Sequence, residues 1–75
     1  MKITPDQFKK MLQTMSGKNY LSESLLKEVR DRGYGDYLYY SCPKEKAIEI
    51  VKELQRDKIL PSHKTPESVF ASIIE

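Results

Sequence analysis

A chain of 75 residues with 13 basic and 11 acidic side chains, net charge +2, has room for one small domain and no strong overall field toward nucleic acid. Its single Cys and single His exclude an internal disulfide and a four-ligand zinc site. No metal or cofactor is therefore expected, and a core this thin would look to another chain for further stabilisation. No apolar run approaches the roughly 20 residues of a membrane span. The N-terminus lacks a basic region followed by an apolar core, so no membrane contact and a cytoplasmic location are expected.

The first helix is expected over residues 5–16. Thr4 can cap it, Pro5 suits its first position, and Gln7 stands where a capping box needs an acceptor. Phe8, Met11, Leu12 and Met15 form its apolar stripe, and Gly17 offers a left-handed stop. A second helix is expected over residues 22–32, capped by Ser22 and closed by Gly33. Leu25, Leu26 and Val29 form its apolar face, with Leu21 placed to staple onto Leu26. The link at Lys18-Asn19-Tyr20 is short, so these two helices should form an antiparallel or steeply crossed pair.

Residues 34–42 read ambiguously. Tyr34-Gly35-Asp36 is turn chemistry, whereas Tyr37-Leu38-Tyr39-Tyr40 is β-favouring. That composition tips the segment toward a short strand over a helical turn capped by Asp36. Its partner would be Met1-Lys2-Ile3 or the segment around Ile59. The strongest helical signal follows, over residues 43–60: Ala47, Val51 and Leu54 repeat at helical spacing, flanked by Ile48 and Ile50. Pro43 suits its first turn and Pro61 should end it. After a loop at 61–64, Thr65-Pro66-Glu67 repeats the grammar of Thr4-Pro5-Asp6. It predicts a last helix near 66–74 burying Val69, Phe70, Ile73 and Ile74. The fold class is mainly α: a single small bundle, residues 1–75, of three to four short helices with a minor β element near Tyr37–Tyr40.

Candidate chemistry is sparse. Cys42 precedes a helix whose dipole would favour a thiolate. A nucleophile also needs a base, and His63, the one imidazole, lies in a loop; Cys42 reads better as a small core residue. Glu45, Glu49, Glu53 and Asp57 draw a carboxylate ridge along the third helix, read as a solvated face or a docking edge for a basic partner. Gly33-Tyr34-Gly35 lacks the spacing and the lysine of a phosphate-binding loop.

The tyrosines carry the functional expectation. Four of the five lie between Tyr34 and Tyr40, and tyrosine gives large contact area at small entropic cost. The expected function is a non-enzymatic regulatory or inhibitory module that binds a partner protein, or a second copy of itself. Tyr37, Tyr39 and Tyr40 would be the contacts and Asp36 the rim. The alternative is a DNA-binding regulator of helix-turn-helix or winged-helix type. It would use Lys27, Arg30 and Arg32, with Lys9, Lys10 and Lys18 extending the patch, although Glu28 and Asp31 dilute it. The order helix, Arg32-Gly33-Tyr34, helix, short terminal helix resembles the three-helix ubiquitin-associated domains with their Gly-aromatic loop. The Tyr37–Ser41 segment is longer than that pattern, so no residue role is carried over.

Overall fold

At the N-terminus Thr4 is extended (φ −76°, ψ 159°) and opens helix α1, Pro5–Ser16. The computed structural model shows a reciprocal cap there. Thr4 Oγ1 accepts from the Gln7 amide at 3.1 Å, and Gln7 Oε1 accepts from the Thr4 amide at 2.9 Å. Gly17 ends α1 at φ 74°, where any other L-residue would be strained. The structure describes residues 2–74, and of Ile74 only the backbone. Met1 in the expected N-terminal strand, and the Ile74 side chain expected on the buried face, lie outside the described residues.

Helix α2 runs Glu23–Asp31 from an N-cap at Ser22. The Ser22 hydroxyl does not cap: it shares a 2.8 Å hydrogen bond with the Ser24 hydroxyl instead. At the other end the Gly33 amide donates to the Arg30 carbonyl and the Tyr34 amide to the Val29 carbonyl, both at 3.0 Å. These two bonds make a Schellman motif with Gly33 (φ 88°) in the left-handed position. The chain then enters a 3₁₀ turn, Gly35–Leu38.

This turn corrects the expected strand. The Asp36 carbonyl accepts from the Tyr39 amide at 3.0 Å and the Tyr40 amide at 2.8 Å, so the donors that a ladder would have paired are satisfied locally. The β element lies just beyond. Strand β1, Lys2–Ile3, pairs antiparallel with β2, Cys42–Pro43, with Ile3 opposite Cys42. The expected N-terminal partner is used, but by Cys42–Pro43 and not by the tyrosines. Leu38 is thereby free to point inward (2% exposed), which an alternating strand of tyrosines would not require.

Helix α3 runs Lys44–Arg56, with Pro43 extended at its N-cap (ψ 140°) and not in its first turn. It stops well before Pro61, which corrects the expected end at residue 60. The Lys58 amide bonds the Gln55 carbonyl at 3.0 Å and the Ile59 amide the Leu54 carbonyl at 2.9 Å, a second Schellman motif. Its left-handed residue is Lys58 (φ 64°), the one non-glycine at positive φ among the described residues. The early turn lets Leu60 bury its side chain at 2% exposure, and that burial outweighs the backbone strain.

Helix α4, Pro66–Ile74, completes the order β1, α1, α2, 3₁₀ turn, β2, α3, α4. The four helices and the small antiparallel sheet form one mainly helical domain, 27 × 25 × 22 Å. Phe8, Met11, Leu12 and Met15 of α1 meet Ala47, Ile50, Val51 and Leu54 of α3 and Val69 and Phe70 of α4 in one core. Ile73 packs partly against it. The nearest backbone neighbours of α1 are α4 and the 3₁₀ turn, so α1 and α2 do not run side by side as an antiparallel pair. A turn beyond α3 is tied down by side chains. Gln55 Nε2 donates to the carbonyls of Pro61 (3.0 Å) and Lys64 (2.7 Å), and Lys64 Nζ donates to the Thr14 carbonyl at 3.1 Å.

Candidate functional site

The segment from Tyr34 to Cys42 alternates between anchors and exposed rings. Leu38 and Cys42 are buried, while Tyr34 and Tyr37 are partly buried and pack against the core. Between these anchors Tyr39 and Tyr40 stand 68% and 69% exposed. The 3₁₀ hydrogen bonds on one side and the Ile3–Cys42 pairing on the other hold their backbone. Asp36 is exposed in the same turn. The Lys9 amino group, carried by α1, lies 5.9 Å from the centre of the Tyr39 ring. Of the four residues expected at a partner contact, Tyr39, Tyr40 and Asp36 thus share one exposed turn, and Tyr37 is turned toward the core. Lys9 was not expected there, because nothing in the local sequence links a residue of the first helix to Tyr39.

A second cluster joins α2 to α3. The Arg32 guanidinium donates from Nε to Glu28 (2.9 Å) and from Nη1 to Glu53 (2.8 Å) and Asp57 (2.7 Å). The Tyr34 hydroxyl donates to the other oxygen of Glu53 at 2.9 Å, and Lys46 lies over the Tyr34 ring at 5.1 Å. Arg32 holds the Glu53 carboxyl below its ordinary value, and Tyr34 adds to the effect. It holds Asp57 low in the same way. The bond to Glu53, with burial adding to it, pushes the Tyr34 hydroxyl up. Three carboxylates in turn raise the guanidinium further above its already high value.

This cluster divides both charge features of the sequence. In the carboxylate ridge, Glu45 and Glu49 remain exposed while Glu53 and Asp57 are engaged by Arg32. In the basic set, Lys27 and Arg30 are exposed, but Arg32 has its charge matched from inside the domain. Local spacing could have shown the Glu28–Arg32 pair, which is four residues apart on one helix. The link to Glu53 and Asp57 spans two helices and had no sequence signal.

Cys42 is fully buried, with its thiol 3.3 Å from the Pro43 carbonyl. Burial pushes the thiol up, against a smaller pull from Lys46, so desolvation opposes the thiolate that its place before α3 suggested. His63 is exposed in the loop before α4. A cleft of about 420 Å³ lies between the start of α2 and the turn after α3, lined by Leu25, Ile59, Leu60 and Pro61 with Lys18, Glu28 and three serines. Among the described residues, Tyr20 (58%) and Ile59 (39%) are the other large exposed apolar side chains, and Lys18 lies 5.7 Å from the Tyr20 ring. No helix among the described residues is long and apolar enough to cross a membrane. Comparison with models of known protein families, with curated proteins and with solved structures finds no match to this chain.

Proposed function

We propose that this domain is a non-enzymatic regulatory or inhibitory module that binds a partner protein through the turn carrying Tyr39 and Tyr40. One observation carries the reading: two adjacent tyrosines stand about two-thirds exposed (68% and 69%) on a backbone anchored by buried neighbours on both sides. A held aromatic pair loses little freedom on docking, and such residues recur as the anchors of protein interfaces. Asp36 belongs to the rim, and Tyr37 supports the turn from beneath. Arg32, spent within the domain, adds little to the DNA-binding alternative, which would rest on Lys27 and Arg30.

The test compares melting with capture. Single Tyr39→Ala and Tyr40→Ala variants should melt within a few degrees of the parent. Captured partner protein should bind them at least about tenfold more weakly, the scale of a central aromatic anchor. Tyr37→Ala should lower the melt and weaken capture only in step. If binding survives loss of both exposed tyrosines, the contact surface lies elsewhere. Salt-sensitive duplex DNA binding that Lys27→Glu with Arg30→Glu abolishes would favour the alternative.

A further inference from the structure

We infer that the partner face meeting Tyr39 and Tyr40 is acidic, and that Lys9 is the residue selecting it. This rests on the partner-binding reading of that turn and names the chemistry of the surface it fits. Lys9 belongs to α1, yet its amino group is held 5.9 Å from the Tyr39 ring centre, so cation and aromatic present themselves together. Among the described residues no carboxylate lies within ion-pair reach of Lys9. Arg32 has three carboxylates, Lys52 meets Glu67 at 2.8 Å and Arg56 meets Asp57 at 3.5 Å. Lys18, Lys27, Arg30 and Lys46, like Lys9, have none among the described residues; what sets Lys9 apart is its place beside the exposed tyrosines. A carboxylate arriving from outside would complete at Lys9 the pairing that the domain completes internally at those sites. The aromatic pair would meanwhile bury apolar surface, leaving the charge to set register and choice of partner.

Asp36 bears on which anion fits. It is exposed in the same turn and likewise has no described cation within ion-pair reach. A protein surface can place a carboxylate against Lys9 and a neutral or basic group against Asp36. A nucleic acid strand, charged at every phosphate, has no such freedom, and a net charge of +2 offers it little elsewhere. The observations therefore favour an acidic protein segment over a single strand stacked on the tyrosines.

The experiment pans a random peptide display library on the folded 75-residue chain. Binding of the selected peptides is then measured against variants whose melts match the parent. The expected peptides are enriched in Asp and Glu. They should weaken about threefold or more on Lys9→Glu, tighten on Asp36→Asn, lose affinity as salt rises, and require Tyr39 or Tyr40. Peptides that need the tyrosines but are neutral or basic, or are indifferent to Lys9→Glu, overturn the acidic partner and leave the tyrosine surface standing. Peptides indifferent to Tyr39→Ala with Tyr40→Ala, or no binder at all, overturn both. Displacement of tyrosine-dependent peptides by a short oligothymidylate that itself binds tightly at low salt would assign the surface to nucleic acid instead.

Discussion

Tyr34 and Tyr39 flank the same 3₁₀ turn, and each has a lysine amino group over its ring, Lys46 at 5.1 Å and Lys9 at 5.9 Å. Around Tyr34 the polar groups close on one another. Its hydroxyl reaches Glu53, which Arg32 joins to Asp57 and Glu28. Around Tyr39 nothing closes: the ring and that of Tyr40 face water. Lys9 and Lys46 alike have no described carboxylate in reach, but only the Tyr34 side has its neighbouring charges paired. One side of the turn thus spends its charge on joining two helices, and the other leaves aromatic surface and charge available. Surface residues of like composition can serve cohesion or contact, and the facing element decides which.

The largest expected effect breaks this contrast at neighbouring positions. Leu38→Ala should cost about 2–5 kcal/mol, because it opens a cavity under the turn. Tyr40→Ala should fall within about 0.5 kcal/mol of the parent, as surface changes away from special features do. Urea melts of the two variants check it. Equal losses would mean that the exposed ring holds the turn and is not surplus to the fold.

A smaller effect is expected at the closed side, and its pH dependence identifies it. Glu53 and Asp57 sit below their ordinary values of 4.5 and 3.8. The folded chain therefore binds fewer protons than the unfolded one as the pH falls through those values. Their contribution is fully present above the ordinary values and is lost progressively as pH falls toward the depressed folded ones. Arg32→Leu should lower the melting temperature at pH 7, and the gap to the parent should narrow as the medium becomes more acid. A gap that stays constant into acid would mean that the leucine lost packing, not pairing.

The smallest effect sets the two helix ends against each other. Both α2 and α3 close with the same pair of hydrogen bonds, but one uses Gly33 and the other Lys58 in the left-handed position. Lys58→Gly should stabilise by about 0.5–1 kcal/mol, because glycine relieves a strain of roughly 1–2 kcal/mol and gives part of it back in chain entropy. Gly33→Ala should destabilise by a similar amount. A Cβ added at Gly33 would meet nothing within 4 Å, so the penalty for alanine there is conformational alone. Denaturation midpoints of both variants test the pair, and a destabilising Lys58→Gly would show that the lysine side chain contributes more than its backbone costs.

Local chemistry is legible in the residues alone. Thr4, Pro5, Gln7 and Gly17 bound α1 as their types require, since cap and stop act within a single turn. The stripes Phe8–Met15 and Ala47–Leu54 are buried because helical spacing places those residues on one face. Tertiary structure decided what depends on distant partners. It turned α3 aside at Lys58 so that Leu60 could be buried, a gain that no local rule at Pro61 contained. It paired β1 with Cys42–Pro43 and left the tyrosines to a 3₁₀ turn, where the Tyr39 and Tyr40 amides are satisfied by the Asp36 carbonyl and need no ladder. Tertiary structure also sorted the charges. Arg32 was drawn to Glu53 and Asp57 by the approach of two helices, and Lys9 was brought to Tyr39 by the packing of α1 on the turn. Burial and pairing across the chain depend on which surfaces meet, and side-chain types state only what each surface could offer.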